Sequence, residues 1–340
     1  MSNRIETDAL IIGAGPVGLF QAFQLGLLEI SCHIVDAQPA PGGQCVALYG
    51  HKPIYDIPGT PVTSGRELAQ SLLQQVAPFK PQFHFGEQVE TLARQGDGRL
   101  LLSTSAGKSF LAKTVFIAAG VGAFVPKRIA LDGLAAHEGR TLFYHPDALD
   151  RFAGQAVVVN GGDEAALETA IALTRIAREV TLVHRRDGFQ ADEATVAAMR
   201  ALVAEGRLGF AVGQPSAFDG RTLRIATPED TTIELPLDAL VACLGISPRL
   251  GPIADWGFEL ERKQVPVDTE KYQTREPGVF AVGDINTYPG KKKLIVCGFH
   301  EATLAAWGAA AIVFPGKAIP LQYTTTSTRL HELLGVAGRS

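Results

Sequence analysis

Three glycines near the N-terminus have the spacing that lets a backbone turn hold a diphosphate. Gly13, Gly15 and Gly18 follow a short apolar run and precede a helical pattern of apolar residues. The first glycine permits the bend, the second lets the backbone approach the phosphates, and the third lets the helix pack on the strand. A second apolar run ends in Asp36, whose carboxylate can accept hydrogen bonds from ribose hydroxyls. The sequence therefore predicts a dinucleotide site; the alternative is a chance glycine turn in another α/β unit.

A second turn of the same kind lies in the middle of the chain and carries different charges. Its residues are Asn160, Gly161, Gly162 and Asp163. Asn160 stands where the first glycine is expected, and Asn tolerates the positive φ that such a turn needs. The strand that follows ends in His184, Arg185 and Arg186. Two arginines in place of the acid suit a 2′-phosphate, so the pattern favours NADP(H) over NAD(H); a solvated basic strand end is the alternative.

Other elements must bring further groups to these turns. Periodicity and turn residues predict loops over 37–45 and 49–59, a helix over 66–76, strands over 83–89 and 100–104, and a buried strand in the run 114–122 that ends in Ala-x-Gly. A strand over 277–284 ends in Gly283 and Asp284, a common place for an aspartate beside the ribityl or pyrophosphate side of a flavin. A helix over 301–313 can then direct its N-terminus at the flavin ring. Two units of unlike charge predict one resident flavin dinucleotide and one exchangeable nicotinamide.

Composition limits the classes of protein to which the chain can belong. It has 340 residues, 46% hydrophobic and 19% charged, with a formal net charge of −4. The length suits two domains, and the charge gives no electrostatic reason for binding nucleic acid or an anionic membrane. Its four cysteines are scattered without a Cys-x-x-Cys, and the N-terminus lacks the apolar stretch of a signal peptide. We therefore expect a cytoplasmic protein with no membrane helix, structural disulfide or metal site.

Seven short motifs, taken in their order along the chain, resemble those of a known family. They are Gly-Gly-Gln at 42–44, Ala-Leu-Tyr at 47–49, Ile-Tyr-Asp at 54–56, Gly-Ala-Phe at 122–124, His-Arg-Arg-Asp at 184–187, Gly-Asp-Ile at 283–285 and Tyr-Thr-Thr-Thr-Ser at 323–327. With the two turns, they resemble the flavoproteins of the thioredoxin-reductase fold, most closely the ferredoxin (flavodoxin)–NADP reductases of that type, over nearly the whole chain. The resemblance implies an α/β fold of two Rossmann-like, three-layer dinucleotide-binding domains.

The resemblance also implies a domain order. A discontinuous FAD-binding domain comprises residues 1–121 and 250–340, and an NADP(H)-binding domain comprises residues 122–249. The crossings at 120–126 and 245–250 contain Gly and Pro and are candidate hinges about which the domains swivel. A homodimer is implied as well, since the family is commonly dimeric.

Residue roles follow from the turns and the resemblance together. For FAD they are Gly13, Gly15, Gly18 and Asp36 at the pyrophosphate and ribose, Val89 at adenine, Gly43, Gln44 and Asp284 at the ribityl chain or ring, and Tyr49, Phe124, Tyr323 and Thr324 or Thr325 around the ring. For NADP(H) they are Gly161, Gly162, Asp163, His184, Arg185 and Arg186. From the residues alone, Tyr49 stays open between stacking on a flat ring and packing of its loop, and the tail at 323–327 would be a frayed end.

The implied reaction is electron transfer. NADPH gives a hydride to FAD, and the reduced flavin passes single electrons to ferredoxin or flavodoxin. No acid–base pair is needed, so the histidines at 51, 84, 145 and 331 are interpreted as surface or structural residues. Two departures from the family pattern matter. Gln190 stands where an arginine is usual, which weakens discrimination against NADH, and Asn160 replaces a glycine, which weakens nicotinamide binding. The cations Lys291, Lys292, Lys293, Lys127 and Arg128 are either docking groups for an acidic carrier or solvated charges.

Two other functions compete with this interpretation. A disulfide reductase needs two thiols within reach of the flavin, and residues 143–147, where a Cys-x-x-Cys is usual, contain none. Cys243 and Cys297 substitute for that pair only if the fold brings them together. A non-catalytic, flavin-bearing redox sensor is disfavoured because both dinucleotide turns are complete.

Overall fold

Two compact units make up the chain. The computed structural model describes residues 4–144, 146, 148–321 and 323–336, with the backbone alone for 123–126 and 246–249. Met1–Ala123 and Arg249–Ser340 form one unit, which we name the discontinuous unit, and Phe124–Pro248 form the other, the inserted unit. Each unit has its own central sheet and its own core.

Strands alternate with helices in parts of the chain and follow one another directly in others. The strands are β1 (Arg4–Ile12), β2 (Cys32–Asp36), β3 (Pro53–Ile54), β4 (Thr63–Ser64), β5 (Gln82–Phe85), β6 (Val89–Arg94), β7 (Leu100–Thr104), β8 (Ser109–Ile117), β9 (Ala123–Pro126), β10 (Leu142–Tyr144), β11 (Ala156–Gly161), β12 (Glu179–His184), β13 (Gly209–Val212), β14 (Gln214–Phe218), β15 (Thr222–Ala226), β16 (Thr232–Pro236), β17 (Ala239–Cys243), β18 (Ile246–Arg249), β19 (Val265–Pro266), β20 (Val279–Ala281) and β21 (Asn286–Thr287). The helices are α1 (Pro16–Leu27), α2 (Gly43–Ala47), α3 (Gly65–Val76), α4 (Glu164–Leu173), α5 (Glu193–Ala204), α6 (Ile295–Val313) and α7 (Thr328–Leu333). A short 3₁₀ turn, Gly283–Ile285, follows β20.

The discontinuous unit is built on a seven-stranded sheet. Its order is β5-β2-β1-β8-β7-β6, and β20 also pairs with β8. β1 is parallel to β2 and β8, and β20 is parallel to β8, whereas β7 and β6 run antiparallel. Residues of α1 and α6 cover one face over Ile11 and Phe116, and Leu10 and Val115 pack on the other face. Because both faces are covered, the central strands are continuous apolar runs.

The inserted unit has three layers. Its five parallel strands have the order β10-β17-β11-β12-β13. Residues of α4 and α5 pack on one face with Val157 and Val241. On the other face, Val158 and Leu240 pack with residues of an antiparallel sheet formed by β14, β15 and β16.

The helix α6 lies in the core of the discontinuous unit. The sequence predicts its start at residue 301, but it begins at Ile295, so Glu301 lies in its second turn. Within the described ranges, α6 alone is long and apolar enough to cross a membrane by length and composition. Its residues Ala302, Ala305 and Ala309 are fully buried within the unit, as is Glu301 among polar partners. This is the arrangement of a core helix.

Two other predictions of secondary structure are wrong in detail. The single strand expected over 83–89 is two strands, because the chain turns at Gly86, where φ is 69°. β5 pairs with β2, and β6 pairs with β7. The loop expected over 37–45 ends early, because α2 begins at Gly43.

Candidate functional site

The first glycine turn connects β1 to α1 and leaves the start of the helix open. Gly13 has φ 110°, and a Cβ there would lie 2.4 Å from the carbonyl oxygen of Ala118. A Cβ on Gly18 would lie 1.9 Å from the carbonyl oxygen of Gly13. Gly15 precedes Pro16, the first residue of α1, and no described side chain caps the helix. The free N–H groups and the positive end of the helix dipole therefore form a site for a diphosphate.

Asp36 ends β2 and is tied to the same turn. The N–H of Ala14 donates to Asp36 Oδ2 (N···O 2.6 Å), and the N–H of Gln38 donates to Asp36 Oδ1 (2.8 Å). Burial raises the pKa of Asp36, and these two hydrogen bonds oppose the rise. A carboxylate has about four acceptor positions, so the ionised group can also accept hydrogen bonds from two hydroxyls. Asp36 thus has the geometry that a ribose-binding acid needs.

Val89 lies close in the chain to two backbone contacts with the segment that carries this acid. The N–H of Gly86 donates to the carbonyl oxygen of Gln38 (2.9 Å), and the N–H of Glu87 donates to that of Asp36 (3.1 Å). β6 begins two residues further on at Val89, whose side chain is buried. The backbone at the start of β6 is therefore held close to the acid at the end of β2.

The residues after Asp36 return to the first glycine turn. The N–H of Gly42 donates to the carbonyl oxygen of Ala14 (2.9 Å). A Cβ on Gly43, the first residue of α2, would lie 3.0 Å from the Cα of Gly15. The starts of α1 and α2 therefore lie side by side.

Gln44 and Tyr49 extend this cluster. A Cβ on Gly120 would lie 2.9 Å from Gln44 Nε2, so the Gln44 amide lies against the segment that follows β8. The Tyr49 hydroxyl lies 3.3 Å from Cys45 Sγ. Both Gln44 and Tyr49 are half-buried. The fold thus brings these two predicted site residues to the glycine turn.

Asp284 belongs to the same neighbourhood. It is half-buried in the 3₁₀ turn after β20. Burial raises the pKa of Asp284, and the positive charges of Lys291 and Lys293 oppose the rise. Burial and, to a smaller extent, the negative charge of Asp284 raise the pKa of Tyr49 and of the Cys45 thiol. Gly283, the residue before Asp284, packs on Val17 in the first turn of α1, since a Cβ on Gly283 would lie 3.4 Å from Val17 Cγ2.

The predicted C-terminal site residues are exposed in the structure. Tyr323 is 67% exposed, and Thr325 is also exposed. The carbonyl oxygen of Tyr323 accepts from the N–H of Thr326 (3.1 Å) in a local turn. Phe124 lies in β9, and its side chain is outside the described part of the structure. The flavin contacts assigned to Tyr323, Thr325 and Phe124 therefore stay predictions.

The second glycine turn differs from the sequence prediction by one residue. Asn160 is buried within β11, and its φ is not positive. Gly161 lies opposite Cys243, and a Cβ on Gly161 would lie 2.1 Å from the carbonyl oxygen of Cys243. Gly13 has the same relation to Ala118 in the first turn. Gly161 therefore serves as the first glycine, and the expected positive φ at Asn160 is wrong.

Asp163 then stands where Gly15 stands in the first turn. It is the N-cap residue of α4, and its Oδ1 accepts from the N–H of Ala166 (3.0 Å). A carboxylate therefore occupies the helix start that a diphosphate approaches. Gly162 makes room for the His184 ring, since a Cβ there would lie 2.2 Å from His184 Cε1.

The arginines at the end of β12 are exposed. His184, the last residue of the strand, stacks on Phe189 with ring centroids 5.7 Å apart. Burial lowers the pKa of His184, and the charges of Arg185 and Arg186 lower it further, so the imidazole is neutral at pH 7. Within the described part of the chain, neither arginine has an ion-pair partner. Two unpaired guanidinium groups thus lie next to the second turn.

The sequence analysis missed a third guanidinium at this loop. Arg200 in α5 pairs with Asp187, and its guanidinium lies 5.4 Å from the Phe189 ring centroid. The N–H of Gln190 donates to the carbonyl oxygen of Gly162 (2.8 Å), which places position 190 at the turn. Arg200 gave no sequence signal, because only the fold connects α5 with the loop after β12.

A buried ion pair behind Asp284 was also missed. Lys291 Nζ pairs with the carboxylate of Glu301, and the two side chains are 6% and 0% exposed. The expectation that Lys291 is a surface charge like Lys292 and Lys293 is therefore wrong. The signal was a glutamate within the apolar pattern of α6, because a buried carboxylate requires a partner.

The sulfur atoms are not arranged for disulfide chemistry within the described residues. Cys32, Cys45 and Cys243 are buried free thiols, and Cys297 is a partly buried one. Burial raises the pKa of Cys243 to about 12, so this thiol is protonated at neutral pH. Cys243 and Cys297 belong to different units.

Two sheets, each with a glycine turn before a helix, are the architecture of oxidoreductases that bind two dinucleotides. A profile of the family described as pyridine nucleotide-disulphide oxidoreductase matches residues 7–306. The chain belongs to this family.

Relatives that match over nearly the whole chain have a more specific name. The ferredoxin–NADP reductase of Albidiferax ferrireducens is 53% identical over 341 aligned positions, which cover 98% of this chain and 96% of that one. Ferredoxin–NADP reductase 2 of Cupriavidus taiwanensis is 52% identical over 337, covering 98% and 91%. Among solved structures, the thioredoxin reductase of Lactococcus lactis has a TM-score of 0.65 at 23% identity, covering 90% and 99%. The predicted fold class and the resemblance to ferredoxin–NADP reductases are confirmed.

Proposed function

We propose that this protein is an FAD-dependent ferredoxin–NADP reductase. It catalyses hydride exchange between NADPH and FAD and then one-electron transfer to ferredoxin. The observation that carries this conclusion is the pair of turns with opposite charges at their strand ends, Asp36 in one unit and Arg185 with Arg186 in the other. The shared name of relatives over nearly the whole chain supports the class of electron acceptor.

The discontinuous unit is the proposed FAD-binding domain, within the predicted bounds 1–121 and 250–340. Its residues fit the cofactor, because Asp36 has acceptor positions left for a ribose and the start of α1 is open to a pyrophosphate. Gln44, Tyr49 and Asp284 border the ribityl chain and the ring. Bound FAD supplies the chemistry that side chains lack, since it accepts two electrons and releases them singly. The protein binds it, orients it and limits its contact with water.

The inserted unit is the proposed NADP(H)-binding domain, within the predicted bounds 122–249. Arg185 and Arg186 bind the 2′-phosphate, because both are exposed and lack another partner in the described structure. Gly161 and Gly162 allow close approach of the diphosphate, and His184 holds the loop that carries the arginines. The neutral side chain of Gln190 leaves the turn one charge short of the family pattern. We therefore expect a preference for NADPH that is weaker than a third cation would give.

The electron carrier docks beside the FAD site through Lys292 and Lys293. Both lysines are exposed, and Lys293 is near enough to Asp284 to affect its pKa. Arg128 is already paired with Glu138.

Ferredoxin is the expected carrier and flavodoxin the alternative. We expect the enzyme to work in the cytoplasm as a homodimer.

Charge reversal at these two lysines tests the docking site. The double variant Lys292→Glu/Lys293→Glu should raise the KM for ferredoxin severalfold at low ionic strength and flatten its salt dependence. The rate with ferricyanide, a small acceptor that needs no docking surface, is the internal control. A ferredoxin KM that stays unchanged at low salt would assign the lysines to solvent alone.

Anaerobic assays of the purified yellow protein test the function itself. NADPH should bleach the flavin faster than NADH at equal concentration, and the reduced protein should then reduce ferredoxin. Bleaching without onward reduction of ferredoxin or flavodoxin would indicate a redox sensor. Reduction of thioredoxin in place of these carriers would indicate a disulfide reductase, which the lack of a Cys-x-x-Cys in the sequence disfavours.

A further inference from the structure

A buried ion pair lies behind the turn that carries Asp284. Glu301 in α6 is fully buried, and its partner Lys291 is almost so. The N–H of Gly283 donates to Glu301 Oε2 (2.7 Å), and Lys291 Nζ donates to the carbonyl oxygen of Gly283 (2.9 Å). Both polar backbone groups of the residue before Asp284 are therefore held by this pair.

Two further side chains complete the hydrogen bonding of Glu301. Asn286 Nδ2 donates to Oε2 (2.8 Å), and the Tyr288 hydroxyl donates to Oε1 (2.9 Å). Glu301 thus has four donors, one of them a counter-charge, which is the condition for burying a carboxylate. Since Asn286 and Tyr288 follow Asp284 in the chain, Glu301 holds the backbone on both sides of that residue.

The same turn packs against the start of α1. A Cβ on Gly298 in α6 would lie 2.4 Å from Val17 Cγ2, and a Cβ on Gly283 would lie 3.4 Å from the same atom. Val17 is the second residue of α1, whose start faces the proposed pyrophosphate site. Gly283, whose backbone the ion pair holds, therefore packs directly against the start of α1 and the first glycine turn.

An apolar pair would fill this space without removing two charges from water, and such replacements are often neutral or stabilising. Apolar side chains cannot, however, supply both a donor and an acceptor to the Gly283 backbone. Gly283 has φ 80°, and because glycine is free to adopt many other conformations, the two contacts restrict the backbone that leads into Asp284. A role in orienting the Asp284 side chain therefore explains the buried Lys291–Glu301 pair better than a contribution to the stability of the fold does.

We infer that Lys291 and Glu301 are positioning residues for FAD, which act by fixing the Gly283 backbone and so the direction of the Asp284 carboxylate. This inference rests on the proposed function, because it takes Asp284 as an FAD contact. It assigns different roles to three consecutive lysines, since Lys291 serves the cofactor site, whereas Lys292 and Lys293 face solvent.

Titration of apoprotein with FAD tests the inference. Lys291→Met should raise the FAD dissociation constant at least about tenfold, because it removes a donor to Gly283 and leaves Glu301 without its counter-charge. Lys292→Met, the exposed neighbour, is the matched control and should change the constant less than about twofold. Equal constants for the two variants would overturn the inference.

Replacing both charged residues by methionine separates an effect on FAD binding from an effect on the stability of the protein. In Lys291→Met/Glu301→Met no buried charge is left unpaired, so the apoprotein should unfold at a higher temperature than that of Lys291→Met, in which Glu301 has lost its counter-charge. FAD should nevertheless bind about tenfold more weakly, because Gly283 has lost both contacts. A double variant that binds FAD as tightly as the wild type would show that the pair serves only stability.

Coupling to Asp284 provides the final test. Lys291→Met should add less than about twofold to the loss caused by Asp284→Ala, because both changes remove one function. Additive losses, or an Asp284→Ala variant with wild-type affinity, would overturn the inference while leaving the reductase intact. A wild-type protein that takes up no FAD would instead remove the proposed function.

Discussion

The two glycine turns share a backbone design and differ in the groups that they present. In both, a glycine at the end of the central strand lies where a Cβ would meet a neighbouring carbonyl oxygen, at 2.4 Å for Gly13 and 2.1 Å for Gly161. The first turn has Gly15 at the start of its helix, and the strand that follows the helix ends in an acid, Asp36. The second has Asp163 at the helix start and two arginines at the strand end.

This difference matches the different residence times that the two dinucleotides need. At the first turn, a diphosphate can use the N–H groups at the start of α1 without competing with a side chain. At the second, Asp163 already accepts from the N–H of Ala166 and places a negative charge where the diphosphate arrives. We interpret the first turn as suited to a resident cofactor and the second as suited to one that must leave after each hydride transfer.

The largest expected effect concerns the register of the second turn. Gly161→Ala places a methyl group 2.1 Å from a carbonyl oxygen. The free energy of unfolding should fall by about 1–3 kcal/mol, and NADPH affinity should be lost with it. Denaturant unfolding and NADPH titration measure the two effects.

Asn160→Gly is the matched control for that register. Asn160 lies within β11 and does not form the bend. Its replacement should change NADPH affinity less than about twofold, although a glycine in a strand costs about 0.5–1 kcal/mol of stability. A tenfold gain in affinity would mean that Asn160 is the bend residue after all.

The strand-end arginines should show the next largest effect. Arg185→Ala or Arg186→Ala should weaken binding of 2′,5′-ADP by about 1.5–3 kcal/mol, the usual contribution of hydrogen bonds to charged groups. Binding of 5′-AMP, which lacks the 2′-phosphate, should not change. Arg207→Ala, at an exposed arginine paired with Glu205 in the same unit, is the control. Equal losses for both nucleotides would show that the arginines only shape the loop.

Asp163→Asn should move affinity in the opposite direction. Asn caps a helix about as well as Asp, so the stability of α4 is retained while the negative charge is removed. NADPH should bind about two- to fivefold more tightly, as expected for about 0.3–1 kcal/mol at a helix start. Stopped-flow measurement of NADP release would then show slower dissociation. Weaker binding by this variant would contradict our interpretation of Asp163.

The smallest effect concerns pH. The pKa of His184 in the folded chain lies below its ordinary value of 6.5, so the unfolded chain binds more protons as the pH falls through 6.5. His184 therefore costs no stability above that pH and lowers stability progressively as the pH falls toward the folded pKa. His184→Asn should flatten this part of the dependence of the unfolding midpoint on pH. An unchanged slope would mean that the His184 environment does not matter for stability.

Local patterns made the two turns and their charges predictable from the sequence. Glycine spacing and a charged residue at a strand end act over a few residues, and they correctly indicated the fold class. The register of the second turn was not predictable, because Asn160, Gly161 and Gly162 permit two alignments. The pairing of Gly161 with Cys243, on a strand about eighty residues later, decides between them.

The partners of buried or packed charges were likewise not predictable from the sequence. Lys291, Lys292 and Lys293 are chemically identical, and only the position of Glu301 on α6 makes the first of them a buried partner. Arg200 meets Asp187 through packing of α5 and not through any spacing in the sequence. Such pairs depend on which elements pack together, and that information is not local.

The order of synthesis follows from the way one unit interrupts the other. β20, which pairs with β8, and α6, which packs on α1, are translated after the whole inserted unit. On the ribosome the inserted unit emerges complete while the earlier strands still lack their last partners, and domains fold as units once complete. On the proposed assignment, the NADP(H)-binding unit is therefore complete before the FAD-binding unit, and the FAD site is complete only after α6 has been translated.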